Sequence, residues 1–186
     1  NINIAGGYVE ATAGEGADAI GGGQGELGTS GVAITGGAFP GAAVSGGKVY
    51  GVALAPNYIV TDNTDGFKDR YQKRVVREIG DFFVWSGVCD MDYAYAGNVL
   101  TVKTSTPLTI SMKDGMSETT TDTIATKAEG ANVTLAGIAI NKSGTVNEAA
   151  MDVASGSLNL TLAEGTTNSL KSGEGCAGLE NGRYPL

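Results

Sequence analysis

At 186 residues and 18.7 kDa the chain is long enough for one domain with a real core and short for two. Its 30 glycines, with 41% hydrophobic but only 6% aromatic and 17% charged residues, disfavour long helices and leave many short strands joined by tight turns, while four prolines without a triplet period exclude collagen. The net charge of −8 and pI near 4.4 argue against nucleic acid and anionic membrane surfaces as partners, and the lack of histidine removes Ser-His-Asp and Cys-His chemistry and the commonest transition-metal ligand.

No apolar run approaches the roughly 20 residues that cross a bilayer, so no membrane insertion is expected. The chain opens on Asn1-Ile2-Asn3-Ile4 without an initiator Met, which reads as a processed chain or an excised module, and an acidic surface suits solubility outside the cell.

In residues 1–56 a strand-plus-glycine unit repeats. Ile2-Asn3-Ile4-Ala5-Gly6-Gly7-Tyr8-Val9 returns as Val32-Ala33-Ile34-Thr35-Gly36-Gly37-Ala38-Phe39, an offset of 30 residues, with a shorter echo in Val44-Ser45-Gly46-Gly47-Lys48-Val49. Alternation sends Ile2 and Ile4, or Val32 and Ile34, to one face, and paired glycines admit backbone angles closed to other residues. Units too small to bury their own apolar face must stack to do so, which is the mark of a solenoid. A Gly-rich linker would not keep its apolar positions in register.

Residues 57–96 break this pattern and read as an insertion, cap or small subdomain. Lys68, Arg70, Lys73, Arg74 and Arg77 are five of the chain's twelve basic residues. Tyr71, Val75 and Ile79 recur at helical spacing, so 67–79 fits an amphipathic helix, although Val75-Val76 also suits a strand. Trp85, Tyr93 and Tyr95 form the densest aromatic group. Exposed, such rings would stack on a pyranose; buried, they would make a core or cap. Asp62-Asn63-Thr64-Asp65-Gly66 and Asp90-Met91-Asp92 are oxygen-rich turns, with Asp62, Asp65, Asp90 and Asp92 as candidate calcium ligands, or else ordinary turn residues.

Residues 97–186 resume the rungs and continue the same solenoid. Asn98-Val99-Leu100-Thr101-Val102 and Leu108-Thr109-Ile110-Ser111-Met112 are strands, and Asn132-Val133-Thr134-Leu135 matches Ser157-Leu158-Asn159-Leu160 at an offset of 25. The expected inward stripe is Ile2, Ile4, Val32, Ile34, Val133, Leu135, Leu158 and Leu160. Cys89 and Cys176 match no metal-binding spacing and are either a distant disulfide or two small buried side chains.

Gly6-Gly7 through Gly21-Gly22-Gly23, Asn98-Val99-Leu100-Thr101-Val102 through Ser111-Met112-Lys113-Asp114-Gly115, and Asn159-Leu160-Thr161-Leu162 through Lys171-Ser172-Gly173-Glu174-Gly175-Cys176-Ala177-Gly178-Leu179 resemble the glycine-rich surface proteins of gut Firmicutes labelled as carbohydrate-binding-domain-containing. The resemblance implies a polysaccharide-lyase-like, right-handed parallel β-helix, with calcium in some members. Here the segments stand in the opposite order, as in a permuted chain or one cut from a longer array.

Lyases on such a fold pair a base with a calcium-held carboxylate. The basic run has no defined constellation of that kind, so a non-catalytic chain is expected. Two functions follow: an extracellular structural subunit stacking end to end into a surface fibre through Ile2, Ile4, Tyr184 and Leu186, or a carbohydrate-binding adhesin module with calcium as its one candidate cofactor.

Overall fold

Residues that alternate apolar and small polar side chains fold into stacked strands, with glycine at their corners. In the computed structural model, which describes residues 1–21, 31–116 and 118–182, the chain is all-β, 47% strand and 2% helical, and forms a β-solenoid of about 6 turns. It divides into two compact units, Asn1–Arg77 and Glu78–Leu186, so residues 57–96 are shared between them.

In the first unit β1 (Ile2–Tyr8) runs parallel to β2 (Val32–Phe39), pairing Ile2 with Val32 and Ile4 with Ile34. This is the 30-residue offset of the repeat. The register slips after Ile4, where Gly36 meets Ala5. A Cβ on Gly36 would lie 2.3 Å from the Ala5 carbonyl oxygen, so this approach of two backbones is open to glycine alone.

The shorter echo is not a rung. After a 3-10 turn at Gly41–Ala43, β3 (Val44–Ser45) and β4 (Lys48–Val49) form an antiparallel hairpin, extended by β5 (Val52–Ala53). Gly46 and Gly47 both have left-handed φ, 57° and 74°, the combination a two-residue hairpin turn demands. β6 (Tyr58–Asp62) then pairs antiparallel with β7 (Lys73–Ile79), which borders β2. The segment expected as a helix is thus a turn followed by a strand. The consecutive β-branched pair Val75-Val76, both buried, outweighs the helical spacing. Ile34, Phe39, Val49, Val52 and Val75 fill this unit's core.

In the second unit β8 (Phe82–Trp85) and β9 (Tyr93–Ala96) precede the rung strands β10 (Val99–Val102) and β11 (Leu108–Met112). The next turns run through β12 (Thr123–Thr126), β13 (Ala131–Ala136) and β14 (Ala139–Asn141), then β15 (Met151–Val153), β16 (Leu158–Leu162) and β17 (Ser169–Lys171), and reach β18 (Leu179–Glu180). Three parallel ladders result: β10, β12, β15 and β18; β11, β13 and β16; β14 and β17. Strands β9 and β8 join the first two ladders antiparallel, against β10 and β11.

Between these ladders lie Leu100, Ile110, Ile124, Leu135, Ile140 and Met151, all fully buried. Each such side chain contributes about 1.5–3 kcal/mol relative to leaving it in water.

The second repeat is set two residues away from the 25-residue offset. Val133 faces Leu160 and Leu135 faces Leu162, so Asn132-Val133-Thr134-Leu135 stacks on Asn159-Leu160-Thr161-Leu162. A two-residue slip keeps every side chain on its own face, and the expected stripe therefore survives in kind. Ile34, Val133 and Leu135 are buried; Ile4, Val32, Leu158 and Leu160 are half-buried. Ile2 is 46% exposed, because among the described residues β1 pairs with β2 alone.

Candidate functional site

The aromatic group expected to bind sugar belongs largely to the interior. Trp85 and Tyr93 are buried, and half-buried Tyr95 donates its hydroxyl to Asp122 Oδ2 at 2.7 Å. Burial, and then the Asp122 carboxylate, push the Tyr95 phenol up to about 12. No broad ring face of Trp85 or Tyr93 is left for a ligand. Alternation explains Tyr93, which shares a core face with Phe82, Val84 and Leu100; Trp85 is buried on the other face of β8.

The acidic turns are occupied by the protein's own donors. Asp62 pairs with Lys73 Nζ at 2.6 Å, and Asp92 Oδ2 accepts the Val88 N–H at 2.7 Å. Asp90 has a left-handed φ of 69° and offers its carbonyl oxygen to Lys103 Nζ. Among the described residues no group of three or more His, Cys, Asp or Glu side chains could hold a metal ion.

Cys89 and Cys176 are not joined by a disulfide. Cys89 bridges to Tyr93 beside β9, whereas Cys176 lies between β17 and β18. The strand order β18-β15-β12-β10-β9 sets these places four strand spacings apart, about 19 Å at ~4.8 Å each, far beyond disulfide reach. Of the residues expected at subunit joints, Ile2 is exposed and Ile4 half-buried, while Tyr184 and Leu186 lie outside the described residues.

A different aromatic group is presented to solvent, on the first unit. Tyr8 ends β1, and Phe67 and Tyr71 come from the turn between β6 and β7. The Tyr8 ring lies 4.7 Å from that of Phe67 and 5.2 Å from that of Tyr71, centroid to centroid. Tyr8 is 44% and Phe67 59% exposed, and Tyr71 is half-buried, so the rings form a tilted cluster in which Tyr8 and Phe67 present open faces.

Charged groups frame it. Arg70 lies 5.5 Å from the Tyr71 ring centroid and is paired with Glu10 at 2.5 Å, both side chains well exposed. Beneath the rings, Asp65 Oδ2 accepts the Tyr8 hydroxyl at 2.8 Å and the Arg74 guanidinium. Its Oδ1 accepts the Phe67 N–H at 2.8 Å and the Asn63 amide at 2.9 Å. Burial raises the Asp65 carboxyl, but the Phe67 N–H, the Tyr8 hydroxyl, Arg74 and Asn63 outweigh it and hold the group below the usual aspartate range. Comparison with protein-family models, curated proteins and solved structures gives no match. The rings and their charged border are therefore interpreted from their own chemistry.

Sequence reasoning placed Phe67 and Tyr71 in a basic segment and Tyr8 in a glycine repeat, without joining them. The available signal was an aromatic directly after Gly6-Gly7, where the chain leaves its rung.

The second unit carries a separate concavity of about 520 Å³ lined by Asn98, Thr123, Lys142, Glu148 and Asp152 among others. Lys142 is engaged there by Glu148 at 2.5 Å and by the Thr121 carbonyl oxygen at 3.1 Å.

Proposed function

We propose that the chain is a non-catalytic, extracellular β-solenoid module that holds a polysaccharide on the surface formed by Tyr8, Phe67 and Tyr71. The observation carrying this reading is the exposed Tyr8 ring packed against exposed Phe67 on one side and half-buried Tyr71 on the other, beside the exposed Arg70–Glu10 pair. Leaving a large ring in water forfeits up to about 1.5–3 kcal/mol of burial free energy, which a ligand with apolar C–H faces recovers. A pyranose has such faces and a rim of hydroxyls, for which Glu10 supplies acceptors and Arg70 donors. The acidic surface and the resemblance to bacterial surface proteins support an extracellular setting. Affinity electrophoresis through gels containing hydroxyethylcellulose, xylan or laminarin tests the reading. At least one gel is expected to retard the chain, and Phe67→Ala with Tyr8→Ala to remove the retardation. Unretarded migration in all three, and in a wider glycan array, refutes it.

A second reading is favoured by the ladder edges. Ile2 on β1 is 46% exposed and Leu162 on β16 is 60% exposed, and each strand pairs on one side only among the described residues. Such edges invite another strand, and a second copy stacking there would build a fibre by a contact that does not close on itself. Sedimentation at rising concentration checks this. A species that stays monomeric refutes stacking; fibres lost in Ile2→Asp support it.

A further inference from the structure

We infer that Asp65 is the positioning residue that assembles the aromatic surface, a role that rests on the saccharide reading above for its purpose but not for its geometry. Four donors converge on one carboxylate: the Tyr8 hydroxyl, the Phe67 N–H, the Asn63 amide and the Arg74 guanidinium. An ionised carboxylate has about four acceptor sites, so Asp65 is saturated and has none to spare for a ligand. Those donors come from three places along the chain, namely the end of β1, the turn 63–72 and β7.

Two of the three rings are thereby fixed at their attachment, Tyr8 by its hydroxyl and Phe67 by its backbone. Tyr71 is tied in from the other side of the turn, since the Asn63 amide also donates to the Tyr71 carbonyl oxygen at 2.8 Å. A second anchor holds the turn's far end, where Arg70 meets Glu10. Rings held this way before a ligand arrives lose little freedom when one binds, which is the advantage of a preformed site. Asp65 was a candidate calcium ligand on sequence grounds; its surroundings give it this other task.

The chemistry predicts the effect of removing the charge while keeping the shape. Asn at position 65 has one acceptor oxygen and brings its own amide donors, so it can neither accept all four bonds nor balance Arg74.

The test uses the full chain and two independent readouts. Trypsin cleavage after Lys68 and Arg70 reports the order of the turn without any saccharide. Retardation in hydroxyethylcellulose, xylan and laminarin gels reports the site. For Asp65→Asn we expect cleavage at those two bonds to rise about tenfold, since strong charge-assisted bonds are lost, together with loss of retardation. Tyr8→Phe, which removes one donor only, should give a smaller rise. Phe67→Ala should abolish retardation and leave cleavage at the wild-type rate, because its backbone N–H remains. If Asp65→Asn is cleaved at the wild-type rate, the role is overturned. If it is cleaved faster but Phe67→Ala does not change migration, Asp65 still orders the turn and the saccharide reading alone fails. Thermal melting of each variant separates local loosening from failure to fold, and a Tyr8→Phe variant that melts as the wild type keeps the comparison usable should Asp65→Asn unfold.

Discussion

The Tyr8 hydroxyl and Asp65 Oδ2 lie 2.8 Å apart although 57 residues separate them in the chain. The bond ties a rung strand to the turn that carries Phe67 and Tyr71. It also shifts both partners, since the Tyr8 phenol is raised by burial and by Asp65, whereas the Asp65 carboxyl is lowered.

A pH dependence follows with a definite sign. A carboxyl depressed on folding contributes stability above its unfolded value near 3.8, and loses that contribution as pH falls through the lower folded value. The aromatic surface should therefore remain ordered at pH 5 and loosen only below about 4. Tryptic accessibility is unsuited to acid, so pepsin cleavage within the turn between pH 4.5 and 2 is the measurement. Loosening already complete at pH 5 would contradict the assignment.

At the alkaline end the second unit should respond through Tyr95. A phenol raised to about 12 contributes stability that is full below its unfolded value near 10 and lost as pH rises through 12. Spectrophotometric titration at 295 nm should show a phenolic ionisation near 12 that is lost in Tyr95→Phe. If Tyr95→Phe leaves that high-pH ionisation in place, the Tyr95–Asp122 contact does not persist in solution.

Burial predicts an asymmetry between two leucines on neighbouring rungs, Leu135 of β13 and Leu160 of β16. Leu135→Asp places a charge at a fully buried position and should cost more than about 4 kcal/mol. Leu160→Asp, on half-buried β16, should cost roughly 1–3 kcal/mol. Urea unfolding of both variants measures this, and equal losses would mean that β16 is as enclosed as β13.

Glycine substitutions probe the backbone approaches. Gly36→Ala forces a Cβ to within 2.3 Å of the Ala5 oxygen and should destabilise by about 1–3 kcal/mol. Gly144→Ala has open space and should stay within about 0.5 kcal/mol of the wild type. A neutral Gly36→Ala would show that β1 and β2 separate there in solution.

Calcium remains testable at the acidic turns. Because Lys73, Arg74 and the Val88 N–H already engage Asp62, Asp65 and Asp92, millimolar calcium should raise the melting temperature no more than magnesium does. A calcium-specific rise would show a site that outcompetes those donors.

The strand character of the chain, its rung faces and the Ile2-to-Val32 register were legible because alternation and paired glycines are local properties, written where they act. The second register was misplaced by two residues for a related reason: a slip of two leaves the inward pattern unchanged, so apolar periodicity cannot distinguish Val133 opposite Leu158 from Val133 opposite Leu160. The polar residues between them, Asn132-Thr134 against Asn159-Thr161, held the discriminating signal.

The sequence by itself determined an all-β solenoid with glycine corners, since steric limits on φ and a two-residue side-chain period need no distant partner. Only the tertiary structure decided which aromatics are core and which are surface. Tyr93 falls on the inward face of a strand whose neighbours come from elsewhere in the chain, Trp85 is buried on the opposite face of β8 from Val84, and Tyr8, Phe67 and Tyr71 meet because Asp65 gathers β1, the turn and β7. Such contacts depend on how separate segments are laid against each other, and no local pattern of residues records that.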